Sequence, residues 1–245
     1  MCTAIETVRA DGAALLDIGA GLTEEQWRAP SGCQGWRVQD VVTHMANLFW
    51  ILVDPAKLPP LEGVPTEQAQ EAAVQARRGM SGAEALADYK EAAAPALEHL
   101  AQIEALGIEV PLGDLGTYPA ALLPTAYSFD HYTHIRADLF GPRGPLRGTP
   151  PPSDSARLAP VLDWIEAALP QQNQAAAQTC SLQLEVTGAG ARSISFGSGQ
   201  PAAAIRSSAP SFVRWVTQRG SWTELGVQAT GDAVALATAR TLKVF

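Results

Sequence analysis

Apolar residues recur at helical spacing through the first half of the chain. In AIETVRADGAALLDIGAGL, Ile5, Val8, Ala13, Leu15, Leu16 and Leu22 form one broad apolar face, which predicts a helix ending near Gly19 to Gly21. Thr23 in LTEEQW is placed as an N-cap with acids in the first turn, before Pro and Gly in RAPSGCQGW break the chain. From Arg37 to about Val53, the residues Val38, Val41, Val42, Met45, Leu48, Phe49 and Leu52 repeat as the buried face of a bundle helix does. A proline-rich connection, LVDPAKLPPLEGVP, follows. Residues 66 to 106 are dominated by good helix formers and should split into two helices around Gly79 to Gly82. GIEVPLGDLGTYP predicts turns. Pro119 then suits a first helical turn, and the last helix of this half runs to Leu139, with Pro124 disturbing at most its start.

GPRGPLRGTPPPSD concentrates Pro and Gly with little that could build a core, as an exposed linker does. Beyond it, SARLAPVLDWIEAAL has helical spacing, CSLQLEVTG and ARSISFG alternate as strands, and SAPSFVRWVTQRG returns to helical spacing. The predicted organisation is a helical domain over 1–141, a linker over 142–154 and an α+β domain over 155–245.

Composition adds exclusions. The chain has 245 residues, 47% hydrophobic against 17% charged, with six Trp and six Phe, enough for buried cores. A net charge of −8 and no visible basic patch among 17 Lys and Arg predict neither a nucleic-acid nor a membrane-surface partner. Cys2, Cys33 and Cys180 are odd in number, far apart and without CxxC spacing, so a reducing cytoplasm fits better than a disulfide framework. The acidic, amphipathic start does not resemble an export signal, and no stretch approaches the ~18 apolar residues of a membrane span. A cytoplasmic monomer or homodimer acting on small molecules is expected.

Two of the four histidines fall in FDHYTHIRADLF. Helical residues four apart lie one above the other, so Asp130 and His134 share a face that Asp138 continues. A borderline divalent ion such as Zn²⁺ takes imidazole nitrogen and carboxylate oxygen at about 2.0–2.2 Å, and this pair offers both. His44 in WRVQDVVTHMANLFW points inward from an apolar face, and inward side chains of two bundle helices can complete such a site. A lone histidine on an apolar face is nonetheless more often a hydrogen-bonded core residue. His131 is the competing ligand on the same helix, ranked below Asp130, and His99 suits a solvated or capping role.

GWRVQDVVTHMANL, the acid-xxx-His-xxx-Asp-Leu stretch, the Pro/Gly linker and the smaller α+β half together resemble the mycothiol-dependent maleylpyruvate isomerase family. The matches are strongest at Gly35-Trp36, Asp40, His44, Asp130, His134 and Asp138-Leu139. The resemblance implies an α plus α+β fold: a DinB-like up-down four-helix bundle followed by a small sterol-carrier-like domain. It also implies a divalent metal, most often zinc, held by His44, Asp130 and His134. In the isomerase, an arginine of the second domain is thought to meet the substrate carboxylate; that role falls on Arg219, with Arg214 as the alternative. One departure is that the isomerase carries glutamate where this chain has Asp130.

The implied chemistry is activation of a low-molecular-weight thiol, mycothiol or a similar cosubstrate, as a metal-bound thiolate that adds to a small electrophilic substrate in isomerisation or S-transfer. Asp138 could orient His134, since ligating imidazoles usually donate their second nitrogen to an acceptor. Cys33 has no close cation in sequence apart from Arg37 and is not expected to be an internal nucleophile. The same three ligands would also serve a metal-dependent hydrolase, and the second half could belong to a non-enzymatic binder of apolar ligands.

Overall fold

Thr3 caps the first helix, α1 (Ala4–Ala20), by accepting from the Glu6 amide while the Glu6 carboxylate accepts from the Thr3 amide. The same reciprocal pair starts α2 (Glu24–Arg28) at Thr23 and Gln26, and α5 (Gly82–Glu104) at Ser81 and Glu84. Between them lie α3 (Val38–Val53) and α4 (Thr66–Ala76). At the start of α3, buried Asp40 accepts from both the amide and the guanidinium of Arg37 and from Arg78 beyond α4. The computed structural model describes residues 3–60 and 63–245. Cys2, and Leu61 and Glu62 of the expected proline-rich connection, lie outside the described residues.

The last bundle helix starts later than expected and, though it ends at Leu139 as expected, widens before it does. Its start is at Leu123 rather than Pro119: β1 (Glu109–Pro111) and β2 (Thr117–Pro119) pair as a small hairpin where turns alone were expected, and a short 3₁₀ turn follows. Pro124 then occupies the first turn of α6 (Leu123–Thr133), where its missing N–H has no intrahelical partner to lose. Beyond Thr133 the backbone widens into one π turn, His134–Leu139, in which the Phe140 amide donates to the Ile135 carbonyl at 3.2 Å. Such turns concentrate at functional sites.

Helices α1, α3, α5 and α6 enclose a core of Val8, Leu15, Val41, Val42, Met45, Phe49, Leu100 and Ile135. Each such side chain contributes about 1.5–3 kcal/mol when fully buried. His99 caps the end of α3 by donating from Nδ1 to the Leu52 carbonyl at 2.8 Å. Of the 142–154 segment, expected to be exposed, Leu146 is buried in this same core, and Arg136 and Tyr132 bond to Pro152 and Ser153.

The second half begins with α7 (Ser155–Gln172) and α8 (Gln174–Thr179). Strands β3 (Leu182–Thr187), β4 (Arg192–Phe196), β5 (Ala203–Ser208) and β6 (Gln228–Gly231) form a sheet of order β4-β3-β5-β6. β3 and β5 are parallel, and the other neighbours are antiparallel. The short β4-to-β5 connection squeezes past Cys180 at Gly197, φ +75°, where an added Cβ would lie 2.0 Å from the Cys180 carbonyl oxygen. Alternate residues Leu182, Leu184, Val186, Ile194, Phe196 and Ile205 pack against α7 and against α9 (Ala209–Val216); α10 (Ala233–Thr241) follows the sheet. Phe129 and Tyr132 of α6 enter this second core, so the two halves share a packed boundary.

One fully buried carboxylate ties that boundary together. Asp11 of α1 accepts two bonds from Arg136 of the π turn, at 2.7 and 2.8 Å, and one from Arg157 of α7 at 3.1 Å. Among the described residues no helix is long and apolar enough to cross a membrane.

Candidate metal centre

His44 reaches inward from the middle of α3, Asp130 from α6, and His134 from the first position of the π turn. The structure brings the three together. Their nearest ligand atoms all lie within 4.8 Å of one another, with His44 Nε2 at 3.0 Å and His134 Nε2 at 3.4 Å from Asp130 Oδ1. Both imidazoles are 7% exposed, so the donors face the interior. The second Asp130 oxygen and His44 Nδ1 are buried without a hydrogen-bond partner among the described residues. Two nitrogens and a carboxylate oxygen converging on one point, with a buried carboxylate oxygen to spare, is a donor set that fits a borderline divalent ion.

The charges fit as well. Burial disfavours ionised Asp130, yet the charges of His44 and His134 and the hydrogen bonds from both hold its carboxyl well below the usual range. Burial also draws His134 down, but Asp130 by charge and hydrogen bond, and Asp138 likewise, raise it to about 9. His131 takes no part: its Nδ1 faces the Tyr127 carbonyl at 2.9 Å, its Nε2 faces the Tyr89 hydroxyl at 2.9 Å, and burial lowers its pKa. It is a satisfied core histidine.

Behind His134 stands a chain of contacts. Its Nδ1 is 2.7 Å from Asp138 Oδ2, and Asp138 accepts a two-pronged bond from Arg219, Nε to Oδ1 at 2.8 Å and Nη2 to Oδ2 at 2.7 Å. Burial opposes ionisation of Asp138, but bonds from His134 and Arg219 bring it down to about 2. Arg219 lies just beyond α9, so the second half reaches into the bundle here. Its Nη1 donates to the Thr217 carbonyl, so each of the three guanidinium nitrogens makes a bond, while Nη1 and Nη2 each keep a second N–H. Arg214, the alternative, donates to the Arg219 carbonyl.

Two neighbours were not assigned a part from sequence. The 30–37 loop packs on the π turn through Gly32, whose amide donates to the Asp138 carbonyl and whose added Cβ would lie 3.0 Å from Asp138 Cα. This loop lays Trp36 against both imidazoles, at 5.0 Å from His44 and 6.1 Å from His134 between ring centres, with its indole N–H donated to Glu71 at 2.6 Å. The adjacent Cys33 thiol is pushed up to about 11 by burial and by the charge of Asp138, against which Arg219 works. It is a protonated thiol at neutral pH.

The family model described as the mycothiol maleylpyruvate isomerase N-terminal domain matches residues 8–135. Two solved structures, of the mycothiol-dependent maleylpyruvate isomerase and of a histidine-to-alanine mutant of it, superpose with a TM-score of 0.62 each. Sequence identities are 18% and 16%, and each comparison covers 95% of this chain and 98% of the other. At that identity the likeness establishes the fold, a helical N-terminal half followed by an α+β half. No curated protein sequence gives a match.

Proposed function

The chain belongs to the mycothiol maleylpyruvate isomerase N-terminal domain family, and from that membership we propose that it is a metal-dependent enzyme that uses a low-molecular-weight thiol to isomerise, or transfer sulfur to, a small electrophile. The observation that carries this reading is the convergence of His44, Asp130 and His134 on one buried point. A divalent ion bound by these three, zinc above all, would acidify a coordinated thiol so that it exists as thiolate at neutral pH. Asp130 supplies the anionic ligand and is ionised throughout the physiological range. Asp138 holds the His134 ring by Nδ1, which leaves Nε2 directed at Asp130 and the centre. Arg219 fixes Asp138 through Nε and one N–H of Nη2, and the N–H groups of Nη1 and Nη2 that these bonds leave over are the ones that would meet a substrate carboxylate. Trp36 shields the imidazoles from water on one side. Burial and the charge of Asp138 keep the Cys33 thiol protonated, which argues against it as the nucleophile.

Elemental analysis of the purified chain after incubation with Zn²⁺ and removal of excess should find close to one metal ion per chain. Turnover of a cis-unsaturated maleyl keto acid should then require an added thiol. Trace metal would sink the reading, and turnover of other substrates without thiol would favour water as the nucleophile.

Metal uptake should also release a proton. Metal-free His134 is an imidazolium at pH 7, because its pKa is raised to about 9, and Nε2 must be freed before it can ligate. Apparent affinity should therefore fall by up to about tenfold per unit as pH drops below about 9. In the metal-free chain the same shift stabilises the fold fully below the ordinary value of 6.5, and that contribution is lost as pH rises through about 9. Calorimetric titration in buffers of different ionisation enthalpy measures the proton directly; the same heat in all of them at pH 7 would contradict the assignment.

A further inference from the structure

One turn beyond His44 on α3, the Asn47 amide is fully buried, and neither its oxygen nor its nitrogen meets a hydrogen-bonding partner among the described residues. Buried amides are paired in nearly all folded proteins. Two more buried polar atoms in the same state, Thr43 Oγ1 and His44 Nδ1, belong to the residues four and three positions earlier. Helical Cα–Cβ bonds tilt toward the N-terminus, so the side chain at 47 leans over those at 43 and 44. The unpaired atoms therefore occupy one patch of one helix. Their chemistry is complementary: the amide offers one acceptor and two donors, the hydroxyl accepts and donates, and a neutral imidazole whose Nε2 ligates carries its proton on Nδ1.

We infer that Asn47 is the positioning residue of His44. The Nδ1–H of His44 is donated to Asn47 Oδ1, after a small rotation of the amide or through one water, and Thr43 Oγ1 accepts from Asn47 Nδ2 and fixes which way the amide faces. This arrangement fixes the ring orientation so that Nε2 faces the centre. The inference rests on the metal-centre reading proposed above. His134 already has a partner of this kind in Asp138, a carboxylate neutralised by Arg219. His44 has a neutral one. Asp130 thus remains the single anionic ligand, and a divalent ion there keeps a net positive charge with which to attract a thiolate.

The test uses the full-length chain, stripped of metal, as wild type, Asn47→Leu and Asn47→Asp. Zinc affinity is measured by chelator competition, coordination geometry by the visible spectrum of the Co²⁺ form, and metal-free stability by thermal melting. Asn47→Leu should weaken zinc binding at least about 10-fold and alter the cobalt spectrum. Its metal-free melting temperature should change little, because leucine removes the bonds to His44 and Thr43 but also the cost of burying the amide. Asn47→Asp, which restores the acceptor, should recover most of the affinity. Wild-type zinc affinity in Asn47→Leu would overturn the inference while leaving the metal centre intact. Loss of zinc in parallel with a lower metal-free melting temperature, without rescue by aspartate, would overturn it in favour of a packing role. A wild-type chain that holds no zinc removes the metal centre itself and this inference with it.

Discussion

The His44→Ala chain is expected to lose its bound metal almost completely and to remain folded. His44 is one of three converging candidate ligands, and the pair left behind, Asp130 and His134, offers only two. The bundle does not depend on the ring. Alanine is the best helix former, and the core face of α3 is supplied by Val41, Val42, Met45 and Phe49. The Asp130 carboxylate keeps its contact with His134. The metal-free variant should thus lose no more than about 1–2 kcal/mol, the scale of one hydrogen bond plus some packing. Elemental analysis beside denaturant unfolding of the metal-free forms separates the two effects. Metal retained at the wild-type level would show that the ion, if bound, sits elsewhere.

Asp11→Ala should have the opposite profile, a large loss of stability with no metal ligand touched. Removing this fully buried carboxylate strands the Arg136 guanidinium, whose side chain is 7% exposed, and deprives Arg157 of its inner partner. Breaking a buried ion pair by deleting one partner costs about 3–5 kcal/mol, because the other charge stays buried and uncompensated. Typical domains have only about 5–15 kcal/mol in total. Urea unfolding measures the loss, and adding Arg136→Met to Asp11→Ala should restore part of it, since the stranded charge is then gone. A loss below about 1 kcal/mol would mean that water reaches Arg136 and that the junction is looser than its geometry implies.

The long helices were legible because an apolar face at helical spacing and a Thr or Ser cap are local signals, present in the residues themselves. The candidate ligands were legible for a similar reason: Asp130 and His134 are one turn apart, and His44 lies on an inward face. What escaped was decided by distant partners. Strand β5 is alanine-rich and could equally have been helix; it is extended because it pairs in register with β3. The π turn depends on which carbonyl the Phe140 amide selects, and composition carries no record of that choice. Leu146 looked like part of an exposed linker, because an isolated leucine among Pro and Gly does not reveal that the chain folds back onto the bundle. Asp138 could be placed beside His134 from spacing, but its bond to Arg219 joins residues 81 positions apart, and nothing local announces it.

That separation also sets an order of events during synthesis. Translation adds about 5–20 residues per second, so His44, Asp130 and His134 all emerge well before Arg219 does. Until then the nascent bundle carries its three candidate ligands and the Asp138–His134 contact, but the Asp138 charge has no guanidinium opposite it. The contact that joins the second half to the back of the candidate site is therefore the last of its bonds to form, made by a residue 81 positions after its partner.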